Sequence, residues 1–340
     1  MRTDGAIVCF GEIMLRLAAP DQELLLQSAR LAATFGGAEA NVAVSLARLG
    51  HDARMVGILA DNAIGAAARD ELRRHGVDVS GLRSVPGRMG LYFLTPGSGL
   101  RPSAVLYDRA GSAFAAAAPN AIDWDQALAG VGWLHLSGVT PAINADTAAA
   151  AVRAAKAARR LGVTLSFDGN YRATLWQAWD GDGPAILGEI VSEADIVFGD
   201  HRDVALILGQ TFAGEGEAPR AAAARAAFAA WPNLQAMAST RRVQHSADHN
   251  DLSGFLFTRA GGAFTTRSHA LTQIVDRIGG GDAFAAGVIH GLRRDLGHQR
   301  SLDFGLAAAA LKHAIPGDFN LSSVVDVERL MDAEGLDVRR

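Results

Sequence analysis

Short, mainly apolar runs alternate along this chain with longer alanine-rich stretches. Ala6–Phe10, Ala53–Leu59, Gly132–Ser137, Val163–Phe167, Ile196–Phe198 and Leu234–Ala238 have the length and apolar character of buried strands. Between them, stretches at about residues 39–49, 62–75, 145–161, 219–230, 282–294 and 301–313 predict helices, several with apolar positions at helical spacing. Alanine favours helix and lets a helix lie close against a sheet, so its abundance there is structural rather than chemical. The recurring strand–helix order predicts an α/β fold, a mostly parallel sheet with helices on both faces.

Two stretches interrupt that order. Glu12–Leu17 and Arg88–Tyr107 hold β-rich segments, among them Gly90-Leu91-Tyr92-Phe93-Leu94 and Ala104-Val105-Leu106-Tyr107, with turn material at Pro96-Gly97-Ser98-Gly99. They predict a small sheet projecting from the main body. No linker, composition shift or repeat marks a second core, so residues 1–340 are expected to form one domain. The segments at about 12–35 and 88–112 are its expected lid. The polar stretch His245–Asp251 reads as a short exposed loop, and its His245…His249 spacing as part of that loop rather than a metal site. His135 and His313, in apolar surroundings, read as satisfied core histidines.

Bulk chemistry narrows the function classes. The 340 residues carry a formal charge of −4, which argues against nucleic acid as the main partner but leaves room for a small anion held by a few arginines. Lys156 and Lys312 are the only lysines. Cys9 is the single cysteine, so no intrachain disulfide can form, and its apolar run predicts a buried thiol. No basic, apolar leader and no run of about 18 apolar residues is present, so a cytoplasmic protein with no membrane span is expected.

The most informative segment is Asp276-Arg277-Ile278-Gly279-Gly280-Gly281-Asp282-Ala283-Phe284-Ala285-Ala286-Gly287. Three glycines before a helix can turn their amides toward an anion, where the helix dipole also favours negative charge. Asp282 in the first turn faces the same spot. Phosphoryl transfer to an alcohol needs this pairing of a base with donors for the moving charge. On spacing alone, a glycine loop with an aspartate cap and no chemistry is the favoured reading. A dinucleotide fingerprint fails because Phe284 stands where glycine or alanine is needed, and no Gly-Lys dipeptide offers a Walker loop.

Gly-Gly-Gly-Asp followed by Ala-Phe-x-x-Gly resembles the C-terminal signature of the ribokinase, or PfkB, family of carbohydrate kinases. Phe35-Gly36-Gly37-Ala38-Glu39-Ala40-Asn41-Val42-Ala43 is similar to the family's N-terminal signature. The two occur in the family's order and extend the resemblance over about residues 6–325. Further segments resemble one branch, the 2-keto-3-deoxygluconate kinases: Phe10–Leu17, Tyr107–Ala113, Leu134–Pro141, Asp168–Arg172 and His313–Asn320.

The resemblance implies a three-layer α/β/α fold with a β-sheet lid. It also implies ATP-dependent phosphorylation of a sugar acid, 2-keto-3-deoxygluconate to its 6-phosphate, with ATP and Mg2+. Asp282 would be the general base and the amides of Gly279, Gly280 and Gly281 the anion hole. Gly36, Gly37 and Asn41 would hold sugar hydroxyls, Tyr92 and Tyr107 would line the sugar site from the lid, and Asp318 would hold a further hydroxyl. Arg109 and Arg172 would bind the acid group, since a carboxylate is best met by forked cationic donors. Asn170, Asp200, Ser239, Thr240 and Arg241 are the candidates for nucleotide or phosphate contacts, and Asp168 for magnesium. Lid sheets of this kind often pair between subunits, so a homodimer or higher homo-oligomer is expected.

Two features depart from the family pattern. Asp200-His201-Arg202-Asp203 stands where Asn-x-x-Glu is common, and Ala238–Arg242 with the stretch to Asn250 replaces the usual nucleotide strand and glycine turn. Other readings are a kinase for fructose, ribose or a related acid, or a non-catalytic sugar sensor of the same fold. A Schiff-base aldolase would need a placed lysine, and both lysines lie in helical patterns.

Overall fold

The computed structural model describes residue 1 and residues 3–332. Its strands are β1 (Ala6–Phe10), β2 (Met14–Ala18), β3 (Ala32–Gly36), β4 (Ala53–Ala60), β5 (Leu82–Val85), β6 (Gly90–Thr95) and β7 (Ala104–Asp108), continuing as β8 (Val131–Ser137), β9 (Thr164–Asp168), β10 (Ile196–Phe198), β11 (Ala236–Gln244), β12 (His249–Thr258), β13 (Ala263–Thr265) and β14 (His269–Thr272). The large sheet runs β13-β12-β11-β10-β9-β8-β1-β4-β5, with β14 also on β12. From β11 to β5 every pairing is parallel, while β12 and its neighbours add an antiparallel edge. The α/β class and mostly parallel sheet expected from the pattern are both present.

The short apolar runs became strands because parallel strands covered on both faces must be apolar throughout. All five residues of β1 and all seven of β8 are buried. Polar side chains inside this core pair with each other: Trp133 Nε1 donates to Ser166 Oγ at 2.9 Å, and His135 Nδ1 lies 2.9 Å from the same hydroxyl. Burial pushes the His135 imidazole down to about 3, so it stays neutral, as a core histidine should. Helix Ala145–Leu161 buries Ala148, Ala151, Ala154, Ala155 and Ala158, begins with an Asn144 capping box and stops at Gly162, whose φ of +67° suits glycine. Cys9 is buried and free.

A second sheet, β3-β2-β6-β7, stands apart from the first. β2 and β6 run parallel in it and the other pairs antiparallel. Among the described residues, no helix is long and apolar enough to cross a membrane.

The region after Leu234 departs from the sequence reading. The strand expected at Leu234–Ala238 is β11, which runs to Gln244 and pairs with β12 from Ala236↔Thr258 to Gln244↔Asn250. The expected polar loop His245–Asp251 is thus the tip of a hairpin, with His249–Asp251 already in β12. Cross-strand hydrogen bonding carries this segment, and arginine, histidine and aspartate hid its two-residue period. His245, His249 and Asp251 gather at the tip, with His245 Nε2 2.8 Å from Asp251 Oδ2.

Candidate active site

The carboxyl ends of the parallel strands bring distant residues to one edge, where ligands gather in open α/β sheets. Glu12 follows β1, Asp168 ends β9 and Asp200 follows β10. Helix Gly280–Arg293 starts at the same edge, and Gly279 before it has φ +81°. A Cβ at Gly279 would lie 2.0 Å from the Asp318 carbonyl oxygen, so only glycine fits. A Cβ at Gly281 would meet nothing within 4 Å, which leaves that backbone open to a ligand.

Asp282, partly exposed at this opening, accepts a 2.7 Å hydrogen bond from Asn41 Nδ2. Asn41 Oδ1 in turn accepts from the Gly37 amide at 3.3 Å, which joins the two glycine segments across 241 residues. Desolvation pushes the Asp282 carboxyl up to about 7, with Asp318 adding to the rise; Asn41, Arg172 and Lys312 oppose it. Asp168 is pushed up to about 8 by desolvation and by the charges of Asp282 and Asp203. Asp203 rises to about 6, mainly through burial. Arg172 is exposed and its charge reaches both Asp168 and Asp282.

A cavity of about 420 Å³ opens beside Gly280 and Gly281 and is lined by Arg202, Arg220, Arg241, Arg242 and Arg277. Five guanidiniums outnumber the lining carboxylate Glu215 and the Asp200 carboxylate that pairs with Arg202 and Arg220, so the cavity is positive. A smaller cavity of about 190 Å³ adjoins Gly281 and is lined by Asp168, Asp203, Ser239 and Thr240 among others. Asp200 N-caps helix His201–Leu208 and pairs with Arg202 Nη2 at 2.7 Å, so its carboxylate is largely committed. Asn170 Nδ2 is likewise engaged, with Ser137 Oγ at 3.0 Å. Arg241 lies 3.9 Å from Glu215. Thus a basic basin, an acidic notch and a carboxylate of raised pKa meet at one helix N-terminus.

Residues 4–318 match the model of the pfkB family carbohydrate kinases. The chain belongs to that family. It is 30% identical over 325 residues to a 2-dehydro-3-deoxygalactonokinase of Haloferax volcanii, with 96% of each chain covered. The crystal structure of 2-dehydro-3-deoxygluconokinase from Thermotoga maritima is 36% identical and superposes with a TM-score of 0.91, covering 97% of this chain and all of that one. At 22% identity, a fructokinase from Xylella fastidiosa with bound ATP shares the fold, with a TM-score of 0.76 over 97% of this chain and 98% of that one.

In this carbohydrate kinase the small sheet brings three further sequence candidates toward the site. Tyr92 is buried and donates to both oxygens of Asp318 at 2.6 Å. Tyr107, opposite it on β7, is 44% exposed, and the Arg109 guanidinium lies 5.9 Å from its ring. Arg109 is buried, and its Nε and Nη2 donate to Glu12 Oε2 at 2.8 and 2.5 Å. Its Nη1 is buried and has no partner among the described residues. Gly36 and Gly37 are fixed by crowding, since a Cβ on Gly36 would lie 2.0 Å from Asp318 Oδ2 and one on Gly37 2.1 Å from the Glu12 carbonyl oxygen.

Three neighbouring residues received no role from the sequence pattern. Arg16 on β2 is buried and bonds Asp276 at 2.6 Å and Asp318 at 2.8 Å, tying the small sheet to the glycine turn. Glu39, within the first signature, is pushed up to about 7, chiefly by burial; Oε1 accepts from Thr140 Oγ1 at 2.7 Å and from the Ser137 amide at 3.1 Å. Lys312 is wholly buried behind the turn. The only sequence signals for these are polar residues in apolar settings, Arg16 in Ile13–Leu17 and Lys312 among alanines.

Proposed function

We propose that this kinase transfers the γ-phosphoryl group of ATP to a hydroxyl of a 2-keto-3-deoxy sugar acid, with gluconate stereochemistry favoured and O6 as the acceptor. The observation that carries the reading is Asp282: a carboxylate with pKa raised to about 7, oriented by Asn41, beside an open glycine backbone and a five-arginine cavity. A base poised near neutrality takes the hydroxyl proton most effectively as the bond to phosphorus forms. The amides of Gly280 and Gly281 and the helix dipole then stabilise charge on the transferring group, while Gly279 sets the turn that aims them.

The polyphosphate would lie in the arginine cavity, with Thr240 and Arg241 on its wall and Ser239 in the adjoining notch. Asp200 would act there by holding Arg202 and Arg220. The Asp203 charge helps raise the Asp168 pKa in that notch, and two carboxylates there suit a divalent cation that keeps most of its waters. Bound magnesium would neutralise phosphate charge, and these two carboxylates would hold it.

The acid group of the sugar would meet Arg109 through its unpartnered Nη1, and Arg172 from the open side. The relatives named for 2-dehydro-3-deoxy sugar acids support this class over neutral sugars. The small sheet, through Tyr92 and Tyr107, would close over the sugar and exclude water, which otherwise would consume ATP.

ATP consumption by purified protein against 2-keto-3-deoxygluconate, its galactonate epimer, ribose and fructose tests this reading. Turnover selective for a keto acid is expected, with a loss of about 10²-fold or more in Asp282→Asn and no change in fold by circular dichroism. Turnover confined to neutral sugars would discard the acid assignment, and an active Asp282→Asn would discard the base.

A further inference from the structure

Lys312 closes helix His298–Lys312, yet its relative exposure is 0%. Nζ donates to two backbone carbonyls, those of Ile315 at 3.0 Å and Asp276 at 3.4 Å. Among the described residues no carboxylate forms a direct ion pair with it. A buried ammonium held only by neutral carbonyls is an expensive way to fill space, since an apolar side chain of similar volume avoids the desolvation cost. Its position suggests what the charge serves.

The lysine lies directly behind the glycine turn. Its Cε is 3.3 Å from where a Cβ on Gly279 would stand, and its carbonyl partner Asp276 begins the turn. Around it, Arg16 binds the carboxylates of Asp276 and Asp318. Two cations, Arg16 and Lys312, therefore balance two carboxylates. Without Lys312 this group would carry a net negative charge immediately behind the backbone that faces the incoming phosphate.

We propose that the Lys312 ammonium is a built-in cation of the anion-binding turn: it holds the carbonyls of Asp276 and Ile315 behind Gly279 and adds a fixed positive field where phosphoryl charge develops. Lys312 is thus a positioning residue. It touches neither substrate and acts through Gly279–Gly281, and the inference rests on reading those glycines as the anion site. The carbonyls that hold Nζ would equally suit a small free cation such as ammonium or potassium, so the kinase carries its own occupant and needs none from solution.

Two measurements decide it, made with Mg-ATP and the acceptor that the substrate panel gives. Wild-type kcat is expected to be equal in buffers whose only monovalent cation is potassium, sodium or the bulky tetramethylammonium. Stimulation of several-fold by potassium would overturn the proposal. Lys312→Met should lose about tenfold or more in kcat, by analogy with lost oxyanion donors, with KM for the acceptor within about twofold. Ammonium or potassium should recover much of that loss by entering the vacated carbonyl site, and tetramethylammonium should not. A folded Lys312→Met with full turnover, or with low turnover that neither small cation raises, would reduce the lysine to a packing element. If the variant does not fold, the wild-type cation series still decides. Asp282→Asn run alongside separates the layers: an active Asp282→Asn overturns the anion-site reading itself, whereas an inactive one beside an unaffected Lys312→Met overturns only the role of the lysine.

Discussion

Asn41 and Asp282 are 241 residues apart and share a 2.7 Å hydrogen bond, and that contact, against burial, tunes the pH at which the base works. Burial raises the Asp282 pKa to about 7, and the Asn41 amide, which bonds the ionised form, holds it from rising further. The active form is the deprotonated one, so kcat/KM should rise with pH and level off above about 7, falling close to tenfold per unit on the acid side. Asp168, pushed up to about 8 in the same field, titrates together with it, so the inflection belongs to the pair. Asn41→Ala removes the bond to the charged form and should move that inflection to higher pH. A pH–rate series on both proteins checks this; an inflection that stays in place would show that Asp282 is not the titrating base. Asp282 and Asn41 were legible in the sequence because each stands in a compact glycine signature. The Arg16 contacts to Asp276 and Asp318 were not, since they span 260 and 302 residues and no local pattern records them.

At the scale of elements, the turn Gly279–Gly281 joins strand-edge chemistry to a helix dipole, and its glycines serve different ends. Gly279 has φ +81° and backbone 2.0 Å from its missing Cβ, so Gly279→Ala should distort the turn, lower stability by about 2 kcal/mol or more and abolish turnover. Gly281 faces open space, so Gly281→Ala should leave the melting temperature within a degree or two while cutting turnover, because the methyl group intrudes where phosphate approaches. Thermal melts with kinetics on the two variants test the distinction, and equal losses of stability would refute it. The turn was readable in advance from its three glycines. The hairpin β11–β12 was not, because Arg241 and Arg242, which line the cavity, break the apolar alternation that marks a strand. Its function hid its structure.

At the scale of the molecule, the small sheet ends in an edge that the chain leaves bare. All five residues of β7 are exposed, with Leu106 at 61%, Tyr107 at 44% and Val105 at 37%. An apolar edge strand with unpaired backbone invites strand pairing, and native proteins cover such edges or blunt them with charge. Asp108 is the single charged residue of β7, and its carboxylate is held by Arg88 at 2.7 Å, so the edge is scarcely blunted. We therefore propose that two copies meet along this sheet, and sedimentation of the purified kinase should give a dimer. Leu106→Lys should shift it toward monomer without lowering the melting temperature of the main body, whose core lies in the other sheet. The same variant should raise KM for the sugar more than it lowers kcat. Tyr107 shares β7 with Leu106, whereas Asp282 and the glycine turn are held by Asn41 and Arg16 from within one chain. A wild-type monomer, or a monomeric variant with unchanged KM, would separate the small sheet's role at the site from subunit pairing.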